Sequence, residues 1–525
     1  MKRTSTAILA LTLAATLFAG CSSTGGFGPE GTQEVGAGAA PAADTPEAGP
    51  EVPAQADEVV FYCLSFTNIP DSYDQVNTAI NEHIAGTYPE ANVKLKLQLF
   101  GPVEYEEKIR LAMQSGTPVD LFTPLGLANY VAQNQVLPLE DLLTEYGRDV
   151  TAIIHEDIGT DAFKTYEING HTYGVPINKG MVVTPTLIYD KDMLAATGYS
   201  IDSINSLRDL PKVFDKIKEL YPEVFPYANT NQGDTHIIPI LAGENDIDVM
   251  MDRVTYMGVV FGDSGQVVNL YDTPWFAEYV GIMRDWYEKG YVPKDMATSP
   301  STATEYFNAG RLFSTIAGYG GNEIGALISA STGRNIGNKW IAPFYFDSSA
   351  ASLATAVSST SKSPAAAMKM INILYTDEFV INTILYGIEG MDYVKVDEHH
   401  WTYPEGKDVN TVSYTAAFST GIVGSEKLQL QTAGVSYEDV LLKLRQNVEC
   451  KRSPYYGFTF DPSKVVNEIT ALNNVYSQYI PGLVCGSLDP AVALPEFNKA
   501  LKDAGIDALI AEKQTQLNAW IAANR

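Results

Sequence analysis

Between residues 59 and 122 the spacing of apolar side chains switches from continuous to helical to alternating and back again, an order that few folds satisfy. Val59-Val60-Phe61-Tyr62-Cys63-Leu64 is an unbroken apolar run, the pattern of a strand covered on both faces of a sheet. Over residues 70–87, Tyr73, Val76, Ile80 and Ile84 recur at helical spacing. Residues 93–99 alternate, with Val93, Leu95, Leu97 and Leu99 on one side and Lys94, Lys96 and Gln98 on the other. Residues 104–114 carry a second helical stripe, Tyr105, Ile109, Ala112 and Met113, that stops at Ser115-Gly116, and residues 119–122 form another short strand. The order β-α-β-α-β with connections of this length predicts an α/β fold with a parallel sheet covered by helices. Ligands bind such sheets at the carboxyl ends of strands, which directs attention to the loops over 65–71 and 123–129.

The N-terminal stretch has a different character. Met1-Lys2-Arg3 precedes an apolar run over 7–19, and Leu17-Phe18-Ala19-Gly20 leads to Cys21. A run of about 13 residues is too short to span a membrane and reads as a signal peptide over 1–20. The small residues before Cys21 resemble the lipobox of bacterial lipoproteins, which implies an acylated Cys21 and a membrane anchor facing the extracellular side. Residues 21–56 are Gly, Ala, Pro, Ser, Thr and acids, a composition that cannot repay the entropy of ordering and reads as a flexible tether. The remaining ~470 residues exceed what one hydrophobic core serves and suit more than one lobe.

Sixty-three acidic residues against 35 basic ones, a net charge of −28, argue against nucleic acid as a partner. Cys63, Cys450 and Cys485 remain after the anchor, without CxxC or zinc-type spacing. A bridge between Cys450 and Cys485 is one reading, and isolated core thiols the other.

Several stretches, in order, resemble the extracellular solute-binding proteins of ABC importers, specifically the large carbohydrate-type family. Gly174-Val175-Pro176, then Leu187-Ile188-Tyr189-Asp190-Lys191-Asp192-Met193-Leu194 and Gly198, resemble that family's crossover between lobes. Glu288-Lys289-Gly290-Tyr291-Val292 and Phe307-Asn308-Ala309-Gly310-Arg311 resemble its second-lobe helix and the approach to the next strand. Ser359-Thr360-Ser361-Lys362-Ser363-Pro364 precedes a helix with Ala366, Met370 and Leu374, followed by Tyr386-Gly387-Ile388-Glu389-Gly390-Met391-Asp392-Tyr393, the most specific combination. Gly457-Phe458-Thr459-Phe460-Asp461 and the run from Ala504-Gly505-Ile506-Asp507 to Trp520 resemble the C-terminal extension of the transport-lipoprotein subgroup. The resemblance implies a two-lobed, periplasmic-binding-protein-like fold with a multi-segment hinge and a cleft that closes over a ligand. It places the first lobe at 57–180, the second at 181–345, a return to the first at 346–400, and the second lobe with its extension at 401–525. The implied partners are a sugar, preferably an oligosaccharide, and the membrane permease of an ABC importer; a monomer without cofactor is expected.

A sugar offers apolar ring faces and a girdle of hydroxyls, so its receptor needs aromatic plates and planar polar groups on loops. Asn68, after the first strand, and Asp120, near the third, are first-lobe candidates, with helix or turn capping as the alternative. Asn178 and Lys179 lie where the chain resembles the interlobe crossing, and hinge geometry is their alternative role. Tyr319, between Gly318 and Gly320-Gly321, is placed as a stacking aromatic, with Trp340 and Trp275 as further choices. Trp286 sits inside a helical stripe over 274–289 and reads as core. Glu389 is a candidate acceptor for hydroxyls or a structural carboxylate.

Catalytic signatures fare poorly. Gly262-Asp263-Ser264-Gly265 has the wrong spacing for a nucleophile elbow, and His155-Glu156 has no second histidine at zincin spacing. The six histidines form no metal pattern. A secreted glycan hydrolase or lyase using two carboxylates, a peptide-binding transport receptor and a non-catalytic glycan adhesin remain as alternatives.

Overall fold

The computed structural model describes residues 55–524 apart from 67–68, 71–72, 229–243, 251, 253–254, 347–352, 418–420 and 433. The signal peptide, Cys21, most of the tether and Asn68 lie outside the described residues. Residues from Asp57 onward form a unit of their own.

The five elements expected near the start are present as β1 (Asp57–Leu64), α1 (Asp74–Thr87), β2 (Val93–Phe100), α2 (Tyr105–Ser115) and β3 (Leu121–Phe122). β1 pairs in parallel with both β2 and β3 and is buried from Val59 to Leu64, as a central strand must be. The sheet continues from β3 to Ala354–Val357 and Val175–Pro176. Ala354–Val357 runs antiparallel to both neighbours, so the sheet is mixed rather than parallel throughout. That strand enters from the other lobe and not through a βα crossover, which frees it from the parallel rule.

A second sheet has the order Ile336–Trp340, Val182–Asp190, Leu312–Tyr319, Phe225–Tyr227. Its core takes in the helix Pro274–Glu288, started by Thr273, whose hydroxyl accepts from the Phe276 amide, with Pro274 in the first turn. Trp286 is buried against Phe214 and Tyr227, with ring centroids 5.0 and 5.1 Å away, which makes it a core residue. The C-terminal helices Val466–Val484, Pro490–Asp503 and Ile506–Asn524 add Leu472, Ile480, Leu483, Phe497, Leu501 and Leu509 to the same core.

The first-lobe core extends further along the chain than expected. Trp401, Tyr414, Ala416, Val423 and Leu430 belong to it. Trp401 lies against Tyr386, with ring centroids 4.3 Å apart, an aromatic pairing that short-range patterning does not reveal. Cys63, Cys450 and Cys485 are buried thiols, and the Cys450–Cys485 bridge is not formed. Burial pushes the Cys63 thiol up to about 12 and the Cys450 thiol up to about 11.

Candidate ligand-binding cleft

At the first-lobe sheet edge, β1 ends at Leu64, and Ser65 is tied back by its amide to the Phe100 carbonyl at 2.9 Å. Phe66 and Ile69 then stand 39% and 37% exposed, unusual for apolar residues beside a buried strand. The loop after β3 is fixed from beneath. Tyr105 accepts the Thr123 amide at 2.8 Å, and Glu106 accepts the Leu125 amide at 3.1 Å and the Tyr130 hydroxyl at 2.6 Å. Burial raises the Glu106 carboxyl above its usual range, against the pull of those two donors.

Asp120 lies elsewhere. Its carboxylate accepts the Val60 amide at 2.8 Å and the Ser361 hydroxyl at 2.5 Å, stitching β1 to the segment after Ala354–Val357. Because Val60 lies well before the end of β1, Asp120 stands on the amino side of β3, away from the edge where ligands bind.

Residues 177–182 run between a strand of the first sheet and a strand of the second, and they are bonded to residues 424–426 and to Asn447. Asn178, fully buried, donates its amide to the Gly424 carbonyl at 3.1 Å and accepts the Glu426 amide at 2.7 Å. Its side chain donates to Asp157 at 2.7 Å and to Ser425 at 2.9 Å. The Lys179 carbonyl and the Met181 amide are both held by Asn447, and Lys179 contributes positive charge to the neighbourhood of Glu426.

Asn447 belongs to a hinge helix, Tyr437–Glu449, which carries Asp439, Lys443, Gln446 and Asn447 at i, i+4, i+7 and i+8, one face of a helix turned toward the crossings. Lys443 pairs with Glu426 at 2.5 Å, and Glu426 also accepts the Gly180 amide at 3.2 Å. Burial alone pushes the Glu426 carboxyl up, but Lys443, the Gly180 amide and Lys179 together outweigh it and hold the carboxyl below its usual range. Beyond the helix, Arg452 donates to the Asn447 and Ile158 carbonyls and stacks over Phe346, its guanidinium carbon 3.8 Å from the ring centroid.

At the second-lobe edge, Tyr319 closes the strand Leu312–Tyr319 opposite Thr184. Its hydroxyl lies 3.5 Å from Asp439, and the same carboxylate accepts the Asn322 amide at 2.5 Å. Burial raises the Asp439 carboxyl, partly offset by the Asn322 amide and Lys443. Gly321 has φ +86°, and a Cβ there would stand 2.5 Å from the Asp439 carboxylate, so both its conformation and its space require glycine. The Trp340 indole donates to the Gly321 carbonyl at 3.1 Å and meets Phe344 edge to face, at 6.5 Å between centroids. One corner of the second lobe thus gathers Tyr319, Trp340, Phe344 and Asp439 around a glycine turn.

A family model described as bacterial extracellular solute-binding protein matches residues 71–380, more than half of the chain. The chain belongs to that family. A second match, a domain of unknown function (DUF3502), covers residues 454–522 of this solute-binding protein. Over 476 residues it is 25% identical to a carbohydrate ABC transporter substrate-binding protein of Streptococcus pneumoniae serotype 4, covering 89% of this chain and 91% of that one. Its fold matches that of the N-glycan transport solute binding protein NgtS of Streptococcus pneumoniae, with TM-score 0.73, 23% identity, and 89% and 100% of the two chains covered. Against NgtS in complex with Man1GlcNAc the TM-score is 0.63 at 24% identity, with the same coverage. An HMO-binding ABC-transporter associated solute binding protein of Bifidobacterium longum infantis gives 0.59 at 16% identity, with 89% and 99% covered.

The remaining sequence candidates sit apart from this corner. Trp275 occupies the first turn of the helix Pro274–Glu288, partly buried against the second-lobe core. Glu389 is exposed in the turn after the helix Glu378–Tyr386, where Asp392 supplies the structural carboxylate by accepting from Ile388, Ser413 and Tyr414. Asp439, Lys443, Gln446 and Asn447 were missed by sequence reasoning. The one signal for them is their shared helical face, which looks like an ordinary solvated stripe until the tertiary structure buries it.

Proposed function

We propose that this solute-binding protein captures an oligosaccharide outside the cell and delivers it to the permease of an ABC importer, held at the membrane by an acylated Cys21. The observation that carries the sugar assignment is the corner formed by Tyr319, Trp340 and Asp439. Two aromatic side chains and a carboxylate meet there on a turn whose glycine makes room for that carboxylate. In the first lobe, Phe66 and Ile69 offer exposed apolar surface, and Asn178 and Lys179 set the hinge. The relative named as a carbohydrate transporter component, and the NgtS complexes with Man1GlcNAc and Man5GlcNAc, support the same ligand class. In this reading the protein binds and releases its ligand without chemistry. Closure transmits binding to the permease only because the closed form holds the ligand better than the open form.

The test is a thermal-shift screen of residues 57–525 against mono- and oligosaccharides and short peptides. A ligand at 100 times its Kd adds about 2.7 kcal/mol of stability. A shift confined to one glycan series supports the reading. A peptide hit with a silent glycan panel overturns the sugar assignment, and shortening of the glycan during incubation overturns the receptor reading.

A further inference from the structure

Beside the second lobe lies a small sheet that does not account for its own shape. Its strands, Ile247–Asp248, Val259–Phe261 and Val267–Val268, are two or three residues long and pair antiparallel. Ladders this short are marginal by themselves. The chain around them turns through left-handed conformations at Asp246, Met250 and Tyr256, with φ 54°, 53° and 51°. Non-glycine residues hold such angles only where neighbouring structure dictates them.

Asp248 and Asp252 hold the turns locally by accepting the Met250, Thr255 and Met257 amides, and further support comes from the far end of the chain. Lys513, on the last helix, is 3% exposed and donates its amine to the carbonyls of Met257 at 2.6 Å and Gly258 at 3.2 Å, with Asp252 3.9 Å away. Gly258 has φ +80°, and a Cβ there would meet the Lys513 stem at 2.9 Å. Next along the helix, Gln514 accepts the Val267 amide and donates to the Gly265 carbonyl, both at 2.8 Å. Tyr455 accepts the Gly265 amide at 2.6 Å, and Tyr455, Phe458 and Leu517 share a core with Met250, Val260 and Val267. A buried lysine costs more than an apolar residue of similar size, so its contribution here is directional: it fixes two carbonyls that the short ladder leaves unpaired.

The location gives this a functional meaning. Tyr455 holds the small sheet, while its neighbour Tyr456 packs edge to face on Phe346, at 5.3 Å between centroids, and approaches the first-lobe Ala162 carbonyl. One residue step therefore separates a grip on the small sheet from the lobe boundary. We propose that the C-terminal domain of unknown function, residues 454–522, is a brace that sets the position of the sheet formed by Ile247–Asp248, Val259–Phe261 and Val267–Val268 and thereby shapes the second-lobe wall of the cleft. The link to binding rests on the oligosaccharide reading above; the brace itself does not.

The experiment compares Lys513→Met and Gln514→Ala with the parent, residues 57–525, by amide hydrogen exchange and by titration with Man5GlcNAc and the panel glycan giving the largest thermal shift. Exchange over 246–268 is expected to rise at least tenfold in both variants, with β1 and β2 unchanged, and glycan affinity to fall at least tenfold through faster release. Unchanged exchange over 246–268 overturns the brace. Raised exchange with parental affinity overturns its role in shaping the cleft. If Lys513→Met fails to fold, the milder Gln514→Ala carries both readouts. A parent that binds no glycan sinks the sugar reading, while the exchange comparison still decides the brace.

Discussion

The polar groups around the first-lobe sheet are engaged within that lobe: Asp120 joins β1 to the segment after Ala354–Val357, Glu106 fastens the loop after β3, and Asp392 closes its own turn. The second lobe is built the other way. Its turn at Gly321 leans on Asp439 of the hinge helix, its small sheet on Lys513 and Gln514, and its core on three C-terminal helices. Both lobes draw on distant chain, but the second has a turn held directly by the hinge helix, so movement of the hinge reaches it without passing through the core.

The largest test of this contrast is deletion of residues 454–525. It strips Leu472, Ile480, Leu483, Val484, Phe497, Leu501, Ile506 and Leu509 from the second-lobe core, and at about 1.5–3 kcal/mol for each buried side chain the loss exceeds ~10 kcal/mol. Limited proteolysis is expected to degrade 181–341 while the first lobe survives; equal resistance of both lobes would erase the distinction. Next, Lys443→Met leaves Glu426 buried without its cation and is expected to lower stability by about 3 kcal/mol in urea unfolding. Because the folded-state Glu426 carboxyl is held low, its contribution is present above its unfolded pKa of about 4.3 and is lost as pH falls through the lower folded value. An acid titration of the parent and Lys443→Met should therefore converge at low pH.

Asp120→Ala orphans the Val60 amide and should cost about 2 kcal/mol of first-lobe stability while leaving ligand affinity at the parental value. Tyr319→Ala should lower stability as well, because Tyr319 packs against the second-lobe core, and in addition cost about 1.5 kcal/mol, roughly tenfold, in glycan affinity by calorimetry. If Asp120→Ala weakens binding as much as Tyr319→Ala does, the assignment of the two lobes' roles is wrong. The smallest effect concerns His400, whose imidazole pairs with Asp397 at 2.8 Å and with the Val435 carbonyl at 2.8 Å. The Asp397 hydrogen bond raises its pKa, so its stabilisation is complete below the unfolded value and disappears as pH rises through the folded one. On a partly exposed pair this amounts to a few tenths of a kcal/mol, read as a smaller melting-temperature difference between parent and His400→Gln at pH 8 than at pH 6.

The first lobe was legible because its signals are local. Continuous, helical and alternating periods named β1, α1, β2, α2 and β3 before any contact was known, and Trp286 declared itself core by its place in a helical stripe. Trp401, Tyr414, Ala416, Val423 and Leu430 share a core with the first sheet, which local patterning does not show because Trp401 finds Tyr386 through space. Asp120 was a ligand candidate as a polar residue near the third strand, because its structural partners Val60 and Ser361 come from segments that lie far from it in sequence. The hinge helix was the largest omission: the side chains of Asp439, Lys443, Gln446 and Asn447 make hydrogen bonds and ion pairs with residues far from the helix in sequence, Asn322, Glu426, Gly321 and Lys179.

Taken alone, the sequence determined the α/β class, the strand-helix order of the first lobe and, through resemblance, the receptor architecture, because periodicity and short motifs are properties of neighbouring residues. Only the tertiary structure decided which carboxylates are structural, which aromatics meet at the second-lobe corner, and that the last helix supports a sheet some 250 residues earlier. Burial and hydrogen-bond pairing belong to pairs of residues in space, and no local pattern encodes the distance between them.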